Sequence, residues 1–325
     1  MTSKIKIAVF GAGRMGRNHV RIVQQNARFE LVGVVDPAVP SIQGVTTVRT
    51  AEKLPGSFDV AIVSVPTAKH FEVGKQLLEA GKHVLIEKPL AATAAQAIAL
   101  AELARSLGRK LAVGHVERFN PAVHKLDEVI RSGILGKAIH FSFTRVGGYP
   151  ASMIEANDVL IDLAVHDIDV FSSLCGDCDL VAAQTHITTD RPVVDTATIL
   201  LRSRAGTTAD IHTNWITPTK LRQIRVTGTS GVCFVDYILQ TCEMFGGNLL
   251  KRLDPAENDY TSLRSQYTNA DKIHFSVENR EPLLLQLEQF ARFIETGDTG
   301  RLCLGDRAAA TVALAEAARE SARTS

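Results

Sequence analysis

From residue 5 to residue 36 the chain runs IKIAVF (5–10), then Gly11-Ala12-Gly13-Arg14-Met15-Gly16, a helical pattern over 15–25, and FELVGVVD (29–36) ending on Asp36. This arrangement restricts the fold more than any other stretch. An apolar run bounded by glycine reads as a strand buried on both faces of a parallel sheet. A G-x-G-x-x-G between strand and helix, inside a 32-residue unit with an acid 20 positions after Gly16, is the context of a dinucleotide fingerprint. Gly11 permits the tight turn, Gly13 lets backbone approach a pyrophosphate, and Gly16 lets helix and strand pack closely. Arg14 and Met15 open the helix whose N-terminus faces the phosphates. Asp36 would accept ribose hydroxyls and repel a 2′-phosphate. Pro37-Ala38-Val39 offers no arginine to neutralise one, so NAD is expected over NADP.

The alternation continues. Residues 59–65 read as a strand, 68–80 as a helix, 83–87 as a strand, 92–107 as an alanine-rich helix stopped by Gly108, and 110–114 as a strand. Such alternation means βαβ units and a doubly wound parallel sheet. The character changes after Phe119-Asn120-Pro121, with helices expected at 121–132 and 158–174 and a half-exposed strand at 138–146. From 180 to about 240 alternating Thr, Val and Ile, broken at Arg204-Ala205-Gly206 and Thr229-Ser230-Gly231, reads as hairpins of an antiparallel sheet. Two amphipathic helices, 282–296 and 306–322, close the chain. The fold class is therefore α/β: an N-terminal Rossmann sheet over 1–118, then an α+β domain over 119–325 with a largely antiparallel, open sheet. The terminal helices are free in this scheme to pack back on the first domain.

Composition excludes several functions. With 325 residues, more than one core is expected. Lys+Arg 36 against Asp+Glu 35 gives a charge of +1, so no basic field recruits nucleic acid. The expected protein is cytoplasmic and has no membrane partner, because no run of 18 apolar residues occurs and the start runs straight into a strand. Five cysteines, an odd number, do not form a disulfide framework. Cys175-Gly176-Asp177-Cys178 is a lone C-x-x-C that closes a helix and lacks a second ligand pair, so no metal site is expected.

Candidate chemistry lies at strand ends. Ser64-Val65-Pro66 follows the 59–65 strand at the carboxyl edge of the sheet, where ligands bind in such folds. His70, one turn on, reads equally as a helix-surface residue or a cofactor contact. Glu87-Lys88-Pro89 ends the next strand at the same edge. There the Lys88 ammonium could hold a substrate hydroxyl and stabilise an oxyanion, although a charged pair after a strand also suits a solvated turn. Asp158, Asp162 and His166, spaced four apart, share one face of the expected helix. A carboxylate one turn from an imidazole can orient it as a general base, or merely pair with it at a surface.

Taken together, GAGRMG, Asp36, EKP and the Asp162–His166 pair resemble the glucose–fructose oxidoreductase / inositol dehydrogenase family, over essentially the whole chain. The resemblance implies that Lys88, Asp162 and His166 are catalytic, that NAD(P) binds the first domain, that Pro89 is cis, and that homo-oligomers (dimer or tetramer) form through the second domain's open sheet. GHVERFNP (114–121) and NWITPTK (214–220) look like the branch acting on UDP-N-acetylhexosamines. That branch implies NAD-dependent oxidation at C3 and hand-over of the 3-keto sugar to an aminotransferase, toward 2,3-diamino sugars of lipid A. The corresponding uronate, a polyol substrate and a non-catalytic NAD sensor are the alternatives. A diphosphate needs cationic partners, and Arg118, Arg145, Lys220, Arg222 and Arg225 are candidates, with Asn120 in the same motif. Tyr149 and Trp215 are candidates for stacking on uracil or sugar, and Trp215 equally for packing in the sheet.

Overall fold

The structure, a computed structural model, describes residues 4–149, 158–190, 192–246 and 271–322. The chain divides into two units, Met1–Phe119 with Arg280–Ala317, and Asn120–Asn279 with Ala318–Ser325. The division falls after Phe119, and Arg280–Ala317, with most of the C-terminal helical region, groups with the first unit.

In the first unit, β1 (Ile5–Phe10), β2 (Phe29–Val35), β3 (Thr47–Val48), β4 (Val60–Val63), β5 (His83–Glu87) and β6 (Leu111–Gly114) are parallel. They lie in the order β3-β2-β1-β4-β5-β6, with the short β15 (Cys303–Leu304) antiparallel at the β6 edge. That is the Rossmann order. The central strands are apolar on both faces, so helices must cover both. Helices α1 (Arg14–Gln25) and α6 (Pro282–Thr296) cover one face through Val20, Ile22, Leu287 and Phe290. On the other face α2 (His70–Glu79), α3 (Ala94–Ser106) and α7 (Gly305–Ser321) pack through Leu77, Leu78, Leu100, Ala308 and Val312. One helix between β1 and β2 is too little to cover its face; α6, far away in sequence, completes it. Lys110 Nζ then ties the helix down, donating to Phe293 O (2.7 Å) and Ile294 O (2.8 Å) in its last turn.

The second unit is an eight-stranded sheet. Its strands are β7 (Ala138–Gly148), β8 (Cys178–His186), β9 (Thr196–Ser203), β10 (Thr208–Asn214), β11 (Ile216–Gly228), β12 (Gly231–Asp236), β13 (Thr241–Gly246) and β14 (Asp271–Phe275). The order is β14-β13-β12-β11-β7-β10-β9-β8, and every pairing is antiparallel except β7 with β10. Helices α4 (Pro121–Arg131) and α5 (Val165–Cys175) belong to this unit, and the Phe171 ring of α5 sits edge-on to Phe141 and Phe143 of β7. Along β9 the odd-numbered Ala197, Ile199 and Leu201 are buried while Thr198, Leu200 and Arg202 are not. That period-two pattern leaves one sheet face open. On it His140 bridges Thr208 Oγ1 (2.8 Å) and Asp210 Oδ1 (2.7 Å), while Leu200 and Phe234 stay exposed. Among the described residues, no helix is long and apolar enough to cross a membrane.

Candidate active site

The strand order of the first unit reverses between β1 and β4, and the crevice beyond their carboxyl ends is where such sheets bind ligands. Gly11, at φ +95°, turns the chain there; a Cβ on it would stand 2.6 Å from the Ser64 carbonyl oxygen. A Cβ on Gly16 would stand 2.0 Å from the Gly11 carbonyl oxygen, so α1 can start this close to β1 only without a side chain. Gly13 differs: it is exposed and nothing lies within 4 Å of its Cβ position. Its bare backbone opens onto the N-terminus of α1, the cradle a pyrophosphate requires. Ser64 Oγ braces the turn by donating to Phe10 O (3.2 Å) and Gly11 O (3.0 Å). Asp36 accepts the Ala12 amide at Oδ2 (2.8 Å) and the Ala38 amide at Oδ1 (2.9 Å). A carboxylate has about four lone-pair sites, so ribose hydroxyls can still be received. These residues fit a dinucleotide. Arg14 is exposed in the first turn of α1 with Met15 half-buried beside it; beyond β4, Val65 is half-buried and Pro66 exposed.

At the end of β5, Glu87 is buried and Lys88 half-buried, and the Lys88–Pro89 peptide bond is cis. Glu87 Oε1 lies 2.7 Å from His19 Nε2 of α1, and Oε2 accepts the Lys88 amide at 3.3 Å. Burial pushes the Glu87 carboxyl up. The His19 hydrogen bond and charge, then the Lys88 ammonium and amide, more than offset this and hold it below the usual carboxylate value.

In the second unit, the expected helix 158–174 is two structures: a π-helical turn, Leu160–Ala164, followed by α5. Asp162 sits in the π turn and His166 on the first turn of α5, both half-buried. π turns recur at functional sites. Asp158 leaves the expected acidic face: its Oδ1 accepts the Ile161 amide (3.0 Å) and its Oδ2 the Arg319 Nε–H (2.7 Å). Next to His166, the buried Asp167 carboxylate accepts Arg145 Nε and Nη2, each at 2.8 Å, and the Tyr237 hydroxyl at 3.2 Å.

Two family profiles match the chain. An oxidoreductase-family NAD-binding Rossmann domain matches residues 5–115, and the corresponding Gfo/Idh/MocA C-terminal domain matches 123–233. The chain belongs to the Gfo/Idh/MocA oxidoreductase family. Its first unit accordingly carries the family's NAD-binding domain. UDP-N-acetylglucosamine 3-dehydrogenase of Acidithiobacillus ferrooxidans is 26% identical, over 74% of this chain and 77% of its own. A scyllo-inositol 2-dehydrogenase (NAD(+)) of Bacillus subtilis is 27% identical over 92% and 89%. The solved structure of the Acidithiobacillus ferrooxidans enzyme superposes with a TM-score of 0.82 over 99% of both chains at 22% identity, a likeness of fold.

The structure places several residues of the expected site in other surroundings. Arg145 is not a diphosphate ligand: it is 3% exposed, its guanidinium is held bidentately by Asp167, and it lies 4.8 Å over the Tyr237 ring. Asn120 is not a substrate contact but a buried cap, its Oδ1 accepting the Ala122 amide (3.1 Å) and its Nδ2 donating to Tyr237 O (3.0 Å). His70 is a buried residue and not a helix-surface one. It is 1% exposed, with Nδ1 2.7 Å from Pro89 O and Nε2 2.9 Å from Val65 O. Burial pushes its pKa down against the pull of these carbonyls, and it ties the β4 loop to the β5 loop. Trp215, 3% exposed, packs against the half-buried Tyr149 ring at 5.7 Å rather than offering a stacking face. The Tyr149 hydroxyl donates to Asp195 (2.8 Å). Arg118 is half-buried and Lys220 exposed. Burial, then the neighbouring Cys178, pushes the Cys175 thiol up to about 12, which suits an inert residue.

His19, Glu87's partner, and Asp167, Arg145's partner, belong to none of the sequence motifs named above. His19 was the more legible of the two, because it falls on the buried stripe of α1 with Gly16, Val20 and Val23, where an imidazole needs a reason.

Proposed function

We propose that this Gfo/Idh/MocA oxidoreductase oxidises the C3 hydroxyl of UDP-N-acetylglucosamine with NAD. The 3-keto product would feed an aminotransferase in 2,3-diamino-sugar (lipid A) biosynthesis. The observation that carries the reading is the placement of Lys88 at the end of β5, on the same sheet edge as the glycine turn and Asp36. The likeness to UDP-N-acetylglucosamine 3-dehydrogenase supplies the substrate. NAD, when bound, supplies the hydride acceptor. Lys88 holds the substrate hydroxyl and stabilises the negative charge that develops on its oxygen. His166 takes the hydroxyl proton, and Asp162 orients the imidazole and favours its protonated form. Arg118, Lys220, Arg222 and Arg225 are the remaining cationic candidates for the diphosphate. The first domain binds the dinucleotide and the second the sugar nucleotide. The protein works in the cytoplasm as a homo-oligomer joined through the open sheet face.

A polyol dehydrogenase is the second reading, favoured by the inositol relative that spans 92% of this chain. The test is NADH appearance with UDP-N-acetylglucosamine, its uronate and myo-inositol offered separately, with the aminotransferase and glutamate added for the sugar nucleotides. Turnover with UDP-N-acetylglucosamine is expected. Turnover with the uronate alone moves the pathway to another polysaccharide, and turnover with inositol alone establishes the polyol reading. Silence with all three despite NAD binding points to a sensor.

Asp36 gives a cofactor prediction. Asp36→Ala removes charge-assisted hydrogen bonds worth about 1.5–3 kcal/mol each, so NAD affinity is expected to fall about 10–100-fold. NADP affinity falls less, since the repulsion of its 2′-phosphate goes too. Dissociation constants for both nucleotides check this; unchanged discrimination removes Asp36 from the role.

A further inference from the structure

His19 is fully buried on α1, three residues beyond Gly16, where an aliphatic side chain would satisfy the core. Its Nε2 meets Glu87 Oε1 at 2.7 Å, and its Nδ1 has no hydrogen-bond partner among the described residues. The carboxylate can only accept, so Nε2 carries the proton. Glu87 is held as the carboxylate. Its carboxyl group lies across Gly114 of β6, where a Cβ would stand 3.0 Å from both Cδ and Oε2, so a glycine there leaves room for it. The second oxygen accepts the backbone amide of Lys88. One buried hydrogen bond thus connects the helix that receives the dinucleotide phosphates to the residue preceding the lysine.

We propose that the buried His19–Glu87 pair is the positioning element for Lys88, fixing where its backbone and ammonium stand relative to the cofactor helix. The inference rests on the catalytic reading of Lys88 given above. The titratable groups that act on Glu87 include His19 from α1 and Lys88 on its own loop, and Glu87 in turn acts on His70 of α2; from β6, Gly114 lies against its carboxyl group. Without the His19 donor, the cost of burying the carboxylate is opposed by Lys88 alone. Glu87 then takes up a proton at higher pH, and Lys88 loses its neighbouring negative charge.

The test uses full-length protein labelled with ¹³C-lysine, with the Lys88 signal assigned by its loss in Lys88→Arg and followed by NMR across a pH titration. In His19→Leu the Lys88 signal is expected to move and to gain an extra titration step. In His19→Gln, whose amide can donate in place of Nε2, it should stay with the wild type. Glu87→Gln keeps the shape and removes the charge, and should also displace the signal; it decides the matter if His19→Leu fails to fold. In turnover, His19→Leu should lose about 10–100-fold in kcat, the scale of a small misplacement of a reacting group, with NAD affinity unchanged and recovery in His19→Gln. A Lys88 signal that keeps its position and titration in His19→Leu or, where that variant does not fold, in Glu87→Gln overturns the proposal. Failure of the dehydrogenase reading is distinct: wild-type protein would then show no turnover while the NMR result stood by itself.

Discussion

Lys88→Ala is expected to lower kcat by about 10²–10⁴-fold, the range for losing a positioned acid–base or oxyanion-stabilising group, while NAD binds as before. The separation follows from the structure. The dinucleotide contacts proposed here come from Gly13, the α1 N-terminus and Asp36, none of which uses the Lys88 side chain. The residue is half-buried, and its backbone amide, which alanine retains, makes the bond to Glu87. Single-turnover rates alongside nucleotide titrations provide the check. Parallel loss of NAD affinity and rate would make Lys88 a structural residue of the β5 loop and remove the oxyanion role.

The second large effect concerns stability. Arg145→Met is expected to destabilise the protein by about 3–5 kcal/mol, because it leaves the Asp167 carboxylate buried without its cationic partner. Arg145 is 3% and Asp167 1% exposed, and together with Tyr237 they join β7, the start of α5 and the segment after β12. The double variant Arg145→Met/Asp167→Leu should recover most of the loss, since replacing a whole buried pair by apolar residues is often neutral. Urea unfolding of the three proteins reads this directly. An Arg145→Met curve that coincides with wild type would show that the pair contributes nothing. Because Asp167 adjoins His166, the single variant should also lower turnover through disorder at the start of α5.

The same residue marks a limit of sequence reading. Arg145, in a strand of alternating polarity, looks like a cation offered to solvent or to a diphosphate; its partner lies 22 residues away on a helix. Pairings of that kind depend on which strand face meets which helix, and composition carries no trace of it. Asn120 likewise reads as part of a substrate motif, whereas its place immediately before Pro121 already suits a helix cap. The Asp158–Asp162–His166 spacing assumed α-helical geometry; the π turn and the Arg319 pair take Asp158 away.

What the sequence alone determined is the local and periodic part. Apolar runs ending in glycine, helical stripes between them, the G-x-G-x-x-G turn and an acid 20 residues on dictate the Rossmann half, because each rests on backbone geometry over a few residues. Family membership followed from the same residues. The tertiary structure decided which distant elements complete each layer and which polar groups find one another. α6 closes the face that α1 leaves bare, β7 and β10 pair in parallel inside an antiparallel sheet, and Asp167 claims Arg145. His19 reaches Glu87 across 68 residues of chain. The physical reason is common to all of them: a buried charge or an uncovered apolar face must be satisfied by something, but its own neighbours in sequence do not say by what.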